Sequence, residues 1–129
     1  MKYLLDTTWI IVYLRGNPDV VNRLHQLDQE ELAVSIISVA ELYEGVFRSR
    51  SPLRNEQSLK EFLQAVTVLD LTEDVCRTYG EQKVKLLRTG TVIGGFDLLI
   101  AATALVHDLT LLTKDQDFKR VGDLSLNIV

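Results

Sequence analysis

Four short apolar runs, each of strand length and each followed by residues of helical period, constrain this chain more than any other feature. They cover residues 3–5, 32–37, 67–71 and 110–113, and residues 125–129 make a short closing strand. Strands that alternate with helical crossovers pair in parallel and carry helices on both faces. A strand covered on both sides reads as a continuous apolar run, as Tyr3-Leu4-Leu5 does. The expectation is one α/β domain over residues 1–129, with a short central parallel sheet flanked by helices.

The helical segments between the runs have recognisable starts and stops. Residues 8–14 are apolar and halt at Arg15-Gly16-Asn17-Pro18, where Asn17 caps and Pro18 opens a second helix with Val20, Val21, Leu24 and Leu27 on one face. His25 lies off that stripe, on the solvent side. Ser38-Val39-Ala40-Glu41 has the form of a capping box, a hydroxyl with Glu three residues on. Ser51-Pro52 opens a helix that buries Leu59, Phe62, Leu63 and Val66. Thr72-Glu73-Asp74 starts a long helix with Val75, Tyr79, Val84, Leu86 and Leu87 as inner candidates, ended by Gly90. Cys76 within it reads as a small core residue. Two glycines, Gly94 and Gly95, precede a helix that is apolar nearly all round, apart from Asp97 in or just before its first turn, and His107-Asp108 ends it.

Composition narrows the function. No apolar run approaches the roughly 20 residues of a membrane span, and the start does not read as a secretory signal. One cysteine allows neither an internal disulfide nor a cysteine-based zinc site, so a cytoplasmic protein is expected. The net charge of −4, from 14 basic and 18 acidic residues, argues against a cation-coated duplex-DNA binder. It leaves a metal-dependent nuclease open, because bound divalent ions reverse the local sign. Glycine-rich nucleotide loops are absent, and neither histidine belongs to a plausible hydrolytic triad.

Asp6, Glu41, Asp97, Asp115 and Asp117 all fall where a strand stops or a helix starts. In a parallel sheet those ends share one edge, so acids spread along the whole chain converge. Two carboxylates about 4 Å apart repel by roughly 4 kcal/mol at an effective dielectric near 20, so a cluster needs protons or cations to offset it. Oxygen-only ligands suit Mg²⁺ or Mn²⁺ rather than zinc. Such ions can activate water and clamp a nucleic-acid phosphate. Thr7 and Thr113, beside two of the acids, can hold a water or a phosphate oxygen. Helix capping and complementing the helix dipole are the competing structural roles for Asp6, Glu41 and Asp97.

Leu4-Leu5-Asp6-Thr7, Ile37-Ser38-Val39-Ala40-Glu41-Leu42, Asp97-Leu98-Leu99-Ile100-Ala101-Ala102 and Thr110-Leu111-Leu112-Thr113-Lys114-Asp115-Gln116-Asp117-Phe118 occur in this order. In these motifs, over essentially its whole length, the chain resembles the PIN-domain nucleases, and within them the VapC-type toxins of toxin–antitoxin pairs. The resemblance implies a three-layer sandwich around a short parallel sheet and an Mg²⁺-dependent endoribonuclease leaving 5′-phosphate and 3′-hydroxyl ends. It also implies a homodimer, and a VapB-type antitoxin whose tail fills the groove and sets an Arg or Lys against the acids. Carried over by position, Asp6 and Asp97 bind the principal ion, and Glu41 and Asp115 complete the pocket or hold a second ion. Asp117 either substitutes for Asp115 or caps the turn. Thr8 stands where the family often has Asn, and Phe96 where it often has a polar residue. A silent partner-binding domain and a nuclease acting on DNA are the alternatives. The 48–54 stretch, Lys114, Lys119 and Arg120 are candidates for steering RNA.

Overall fold

The computed structural model describes residues 1–128, so Val129, counted with the closing strand, lies outside the described residues. The strands are β1 (Tyr3–Leu5), β2 (Leu32–Ser35), β3 (Thr67–Leu69), β4 (Thr110–Thr113) and β5 (Leu126–Ile128). They form one sheet in the order β3-β2-β1-β4-β5, and every pairing is parallel. The helices are α1 (Thr7–Leu14), α2 (Pro18–His25), α3 (Ile36–Arg48), α4 (Pro52–Gln64), α5 (Glu73–Arg88) and α6 (Gly95–His107). Two 3₁₀ turns, Gln29–Glu31 and Gln116–Arg120, complete the chain.

Successive strand residues point to opposite faces, and the two apolar cores divide accordingly. Leu4, Ala33 and Leu111 face α5 and α6, packing with Leu86, Leu98, Ile100 and Phe118. Leu5, Leu32, Val34 and Leu112 face α1 to α4, packing with Trp9, Ile10, Leu42, Leu59 and Phe62. The expected three-layer α/β arrangement is therefore the one observed. No helix among the described residues is long and apolar enough to cross a membrane.

Several local expectations are corrected. The second strand ends at Ser35, two residues short of Ile37. Ile36 and Ile37 have strand propensity, but the Ser35 hydroxyl accepts the Ile37 N–H at 3.0 Å and starts α3 there. Ser38 is consequently inside the helix and the capping box does not form. The third strand stops at Leu69, because Asp70 and Leu71 are exposed beyond the sheet edge. Along α5 the buried positions are Val75, Gln82 and Leu86, with Tyr79 half-buried, which is the 3.6-residue spacing of one face. Val84 and Leu87 fall off that face and are exposed, as are Cys76 and, on α3, Phe47. Helix ends follow the expected chemistry: Gly16 and Gly90 adopt φ values of 81° and 67° just past α1 and α5.

Candidate active site

The strand order decides where a ligand can sit. From β1 the chain builds β2 and β3 to one side, and β4 and β5 lie on the other, so the order reverses between β1 and β4. Open α/β sheets leave a crevice at the carboxyl ends of the strands at such a reversal. Asp6 follows β1 and is the N-cap of α1, its Oδ1 accepting the Thr7 N–H at 2.8 Å. Its Oδ2 accepts the hydroxyl of Thr113, the last residue of β4, at 2.8 Å. Thr113 Oγ1 in turn accepts the Asp115 N–H at 3.0 Å. One hydroxyl thus spans the reversal and ties the two acidic segments together. Asp6 is 3% exposed and Thr113 is fully buried.

Glu41 reaches the same place from within α3. Its Oε1 accepts the Thr7 hydroxyl at 2.7 Å, and Thr7 Oγ1 also lies 2.8 Å from the hydroxyl of Ser38. Ser38 and Glu41, three residues apart, share a helix face. The pattern that looked like a cap is in fact a polar pair, Ser38 buried and Glu41 half-buried, aimed at the end of β1. Ser38 is the residue that sequence reasoning misassigned; the i, i+3 spacing was its signal.

Asp97 sits in the first turn of α6, half-buried, and Phe96 before it is exposed. Asp115 caps the 3₁₀ turn by accepting the Asp117 N–H at 2.8 Å and is half-buried. Asp117 is exposed and pairs with Arg120 at 3.4 Å. Burial first, then the charges of Glu41, Asp115 and Asp117, hold the Asp97 carboxyl above its ordinary pKa. Asp6 is pushed up from 3.8 to about 6: burial raises it, the Thr113 hydrogen bond opposes, and the charges of Asp97 and Asp115 add to the rise. Asp97 and Asp6 therefore each feel acids contributed by other segments. The four acids from distant segments, with Asp117 at the margin, form one electrostatic unit.

A cleft of about 470 Å³ opens over this unit, lined by Asp6, Thr7, Glu41 and Asp97 together with Arg15 and Arg48. The acids offer oxygen donors only, as hard divalent cations prefer, and the raised proton affinity of Asp6 and Asp97 marks a place where added positive charge is favourable. Among the described residues no three ligating side chains stand close enough to chelate an ion as placed. The fit is one of donor chemistry and charge. Thr7 and Thr113, expected to face a water or a phosphate, both donate their hydroxyls to carboxylates. Of the RNA-steering candidates Arg48 lines the cleft, with Ser49 beside it; Arg120 instead donates to the Val92 carbonyl at 2.6 Å.

Residues 3–124 match the PIN domain family. Ribonuclease VapC2 of Rickettsia felis is 35% identical over 98% of this chain and 96% of its own length. The tRNA(fMet)-specific endonuclease VapC of Shigella flexneri is 30% identical over 96% of this chain and 95% of its own. The crystal structure of VapBC2 from Rickettsia felis bound to a DNA fragment from their promoter superimposes with a TM-score of 0.93 at 32% identity, covering 100% of this chain and 99% of that one. The chain belongs to the PIN domain family and, within it, to the VapC proteins.

Proposed function

We propose that this protein, a single PIN domain over residues 1–129, is the toxin of a toxin–antitoxin pair. In this reading it is a cytoplasmic, homodimeric endoribonuclease that depends on Mg²⁺ or Mn²⁺ and is neutralised by a VapB-type antitoxin. The observation that carries the reading is the pair of hydroxyl bridges, from Thr113 to Asp6 and from Thr7 to Glu41, beside an Asp97 whose carboxyl feels the charges of Glu41 and Asp115. The names of the relatives, ribonucleases and an endonuclease, support it, as do the toxin–antitoxin complexes among the structural neighbours.

Asp6 and Asp97 are the residues assigned to hold the cation, with Glu41 and Asp115 completing the acidic wall. A bound divalent ion supplies positive charge for the phosphate and lowers the pKa of water. The chain supplies orientation. Thr113 fixes the Asp6 carboxylate from β4, and Thr7 fixes Glu41 by one oxygen, leaving Glu41 Oε2 without a hydrogen bond among the described residues and free to accept a proton from an attacking water. The fourth place goes to Asp115 rather than Asp117, which is exposed and committed to Arg120.

The test is cleavage of single-stranded RNA oligonucleotides by purified protein. Chelation is expected to abolish cutting, Mg²⁺ or Mn²⁺ to restore it, and the fragments to carry 5′-phosphates, with DNA left intact. Cleavage indifferent to chelator, or fragments ending in cyclic phosphate, sinks the proposal. Thr113→Val keeps the buried shape but removes the donor to Asp6, and is expected to lower activity about 10- to 100-fold, the scale of losing a group that orients a ligand. An unchanged rate would mean that the hydroxyl is only structural.

A further inference from the structure

We infer that Arg15 and Arg48 form a phosphate-holding subsite in the acidic cleft, gripping the backbone of single-stranded RNA beside the bond that is cut. The inference rests on the ribonuclease reading above and adds binding residues to it. Arg15 follows the last turn of α1 and Arg48 closes α3, so the two helices that present Asp6 and Glu41 at one part of the cleft present guanidinium groups at another.

Neither arginine is engaged with the acids of the site. Arg15 makes no ion pair or side-chain hydrogen bond among the described residues, and it is exposed. Arg48 pairs only with Glu44, at 3.0 Å, and both side chains of that pair are largely exposed, at 78% and 69%. An exposed i, i+4 pair contributes a few tenths of a kcal/mol, so a phosphodiester, which guanidinium can bind through two hydrogen bonds, readily displaces Glu44. Charge makes the same case from the substrate's side. The chain carries a net −4, and its reacting end is acidic, so RNA is repelled unless cations inside the cleft hold its backbone. Arg50 and Arg54 do not line this cleft, and Lys114 and Lys119 do not either. The pair thus separates two binding residues from the general basic stretch.

The experiment compares the full-length protein with Arg15→Gln, Arg48→Gln and the double variant. A fluorescent single-stranded RNA is used in two assays: equilibrium binding in chelator across a salt series, and cleavage in Mg²⁺. The double variant is expected to weaken binding and raise KM about 10- to 100-fold, the scale of hydrogen bonds to a charged group, with kcat within about twofold. The slope of log affinity against log salt should fall by about 0.7 for each phosphate that is no longer neutralised. Arg15→Lys should keep the slope, and thermal melts should be unaltered because both positions are exposed. Unchanged affinity and salt slope in the double variant overturn the subsite. If the wild type binds but does not cut, the ribonuclease reading falls while the binding assay still decides the subsite; if the wild type neither binds nor cuts, both fall.

Discussion

Asp97→Asn is expected to lower RNA cleavage about 10²- to 10³-fold while leaving the fold intact, the scale on which a single preorganised electrostatic group acts in catalysis. Asparagine has nearly the same shape and is well tolerated near a helix start, so α6 loses little. What goes is one of the charges that the site concentrates: Asp97 is the acid coupled to Glu41, Asp115 and Asp117 together, and its removal weakens the pull on a cation from all of them. Single-turnover cleavage by purified variants, checked by circular dichroism and melting, measures this. Asp115→Asn should fall in the same range, since asparagine still accepts the Asp117 N–H and only the charge is lost. Asp117→Asn, at an exposed position, should stay within about fivefold, because an exposed ion pair contributes at most about 1 kcal/mol. A folded Asp97→Asn that cuts at the wild-type rate would refute the assignment.

Asp6 carries the second large effect, and it is one of stability. Its carboxyl titrates near 6 in the folded chain against 3.8 as the ordinary value. Between those values the folded state binds the proton more tightly than the unfolded state. The resulting stabilisation is complete below pH 3.8, falls as pH rises, and is gone above about 6. One pKa unit is 1.36 kcal/mol, so the loss is about 3 kcal/mol. Asp97, shifted in the same direction, adds to it. Asp6→Asn stays neutral at every pH and does not suffer this loss, although Thr113 must turn its hydroxyl proton elsewhere, at about 1 kcal/mol.

In chelator at pH 7 the Asp6→Asn variant is therefore expected to be more stable than wild type by about 2 kcal/mol; the curves should cross between about pH 4 and 5, and wild type should be the more stable by about 1 kcal/mol at lower pH. Urea unfolding at a series of pH values reads the difference, because contributions from the carboxylates remote from Asp6 cancel between the two proteins. Adding Mg²⁺ at pH 7 to about 100 times its dissociation constant should stabilise wild type by about 2.7 kcal/mol and the variant far less. Parallel pH curves for the two proteins would show that Asp6 is not the strained group described. The trade is a familiar one in active sites, where a charge held for function makes the fold less stable at neutral pH.

Much of the site is legible in the chain itself. Tyr3-Leu4-Leu5-Asp6 and Thr110-Leu111-Leu112-Thr113 are built on short, continuous apolar runs, and a run of that kind is a strand covered on both sides. Parallel pairing then puts the residues that end each run on one edge. The acids could be named because a carboxylate at such an end is conspicuous against its apolar neighbours. Ser38 and Glu41 were harder, since a hydroxyl three residues before Glu satisfies two patterns equally well: a helix start, and two polar groups on one face inside a helix. Local sequence cannot choose between them. The choice was made by Ser35, which caps α3 one turn earlier, and by Thr7, which arrives from another part of the chain.

The sequence alone therefore determined the class of fold and the succession of strands and helices, and it supplied the candidate acids, because hydrophobic period and capping chemistry act over a few residues and can be read locally; the ends of β2 and β3 it placed two residues too far. Only the tertiary structure decided that β1 and β4 are neighbours, that the Thr113 hydroxyl reaches Asp6 across 107 positions of sequence, and that Arg15 faces the same cleft as Glu41. Those relations depend on strand order and on which face each helix turns inward. They are settled by burying two apolar layers against one sheet at once, and no short stretch of the chain contains that information.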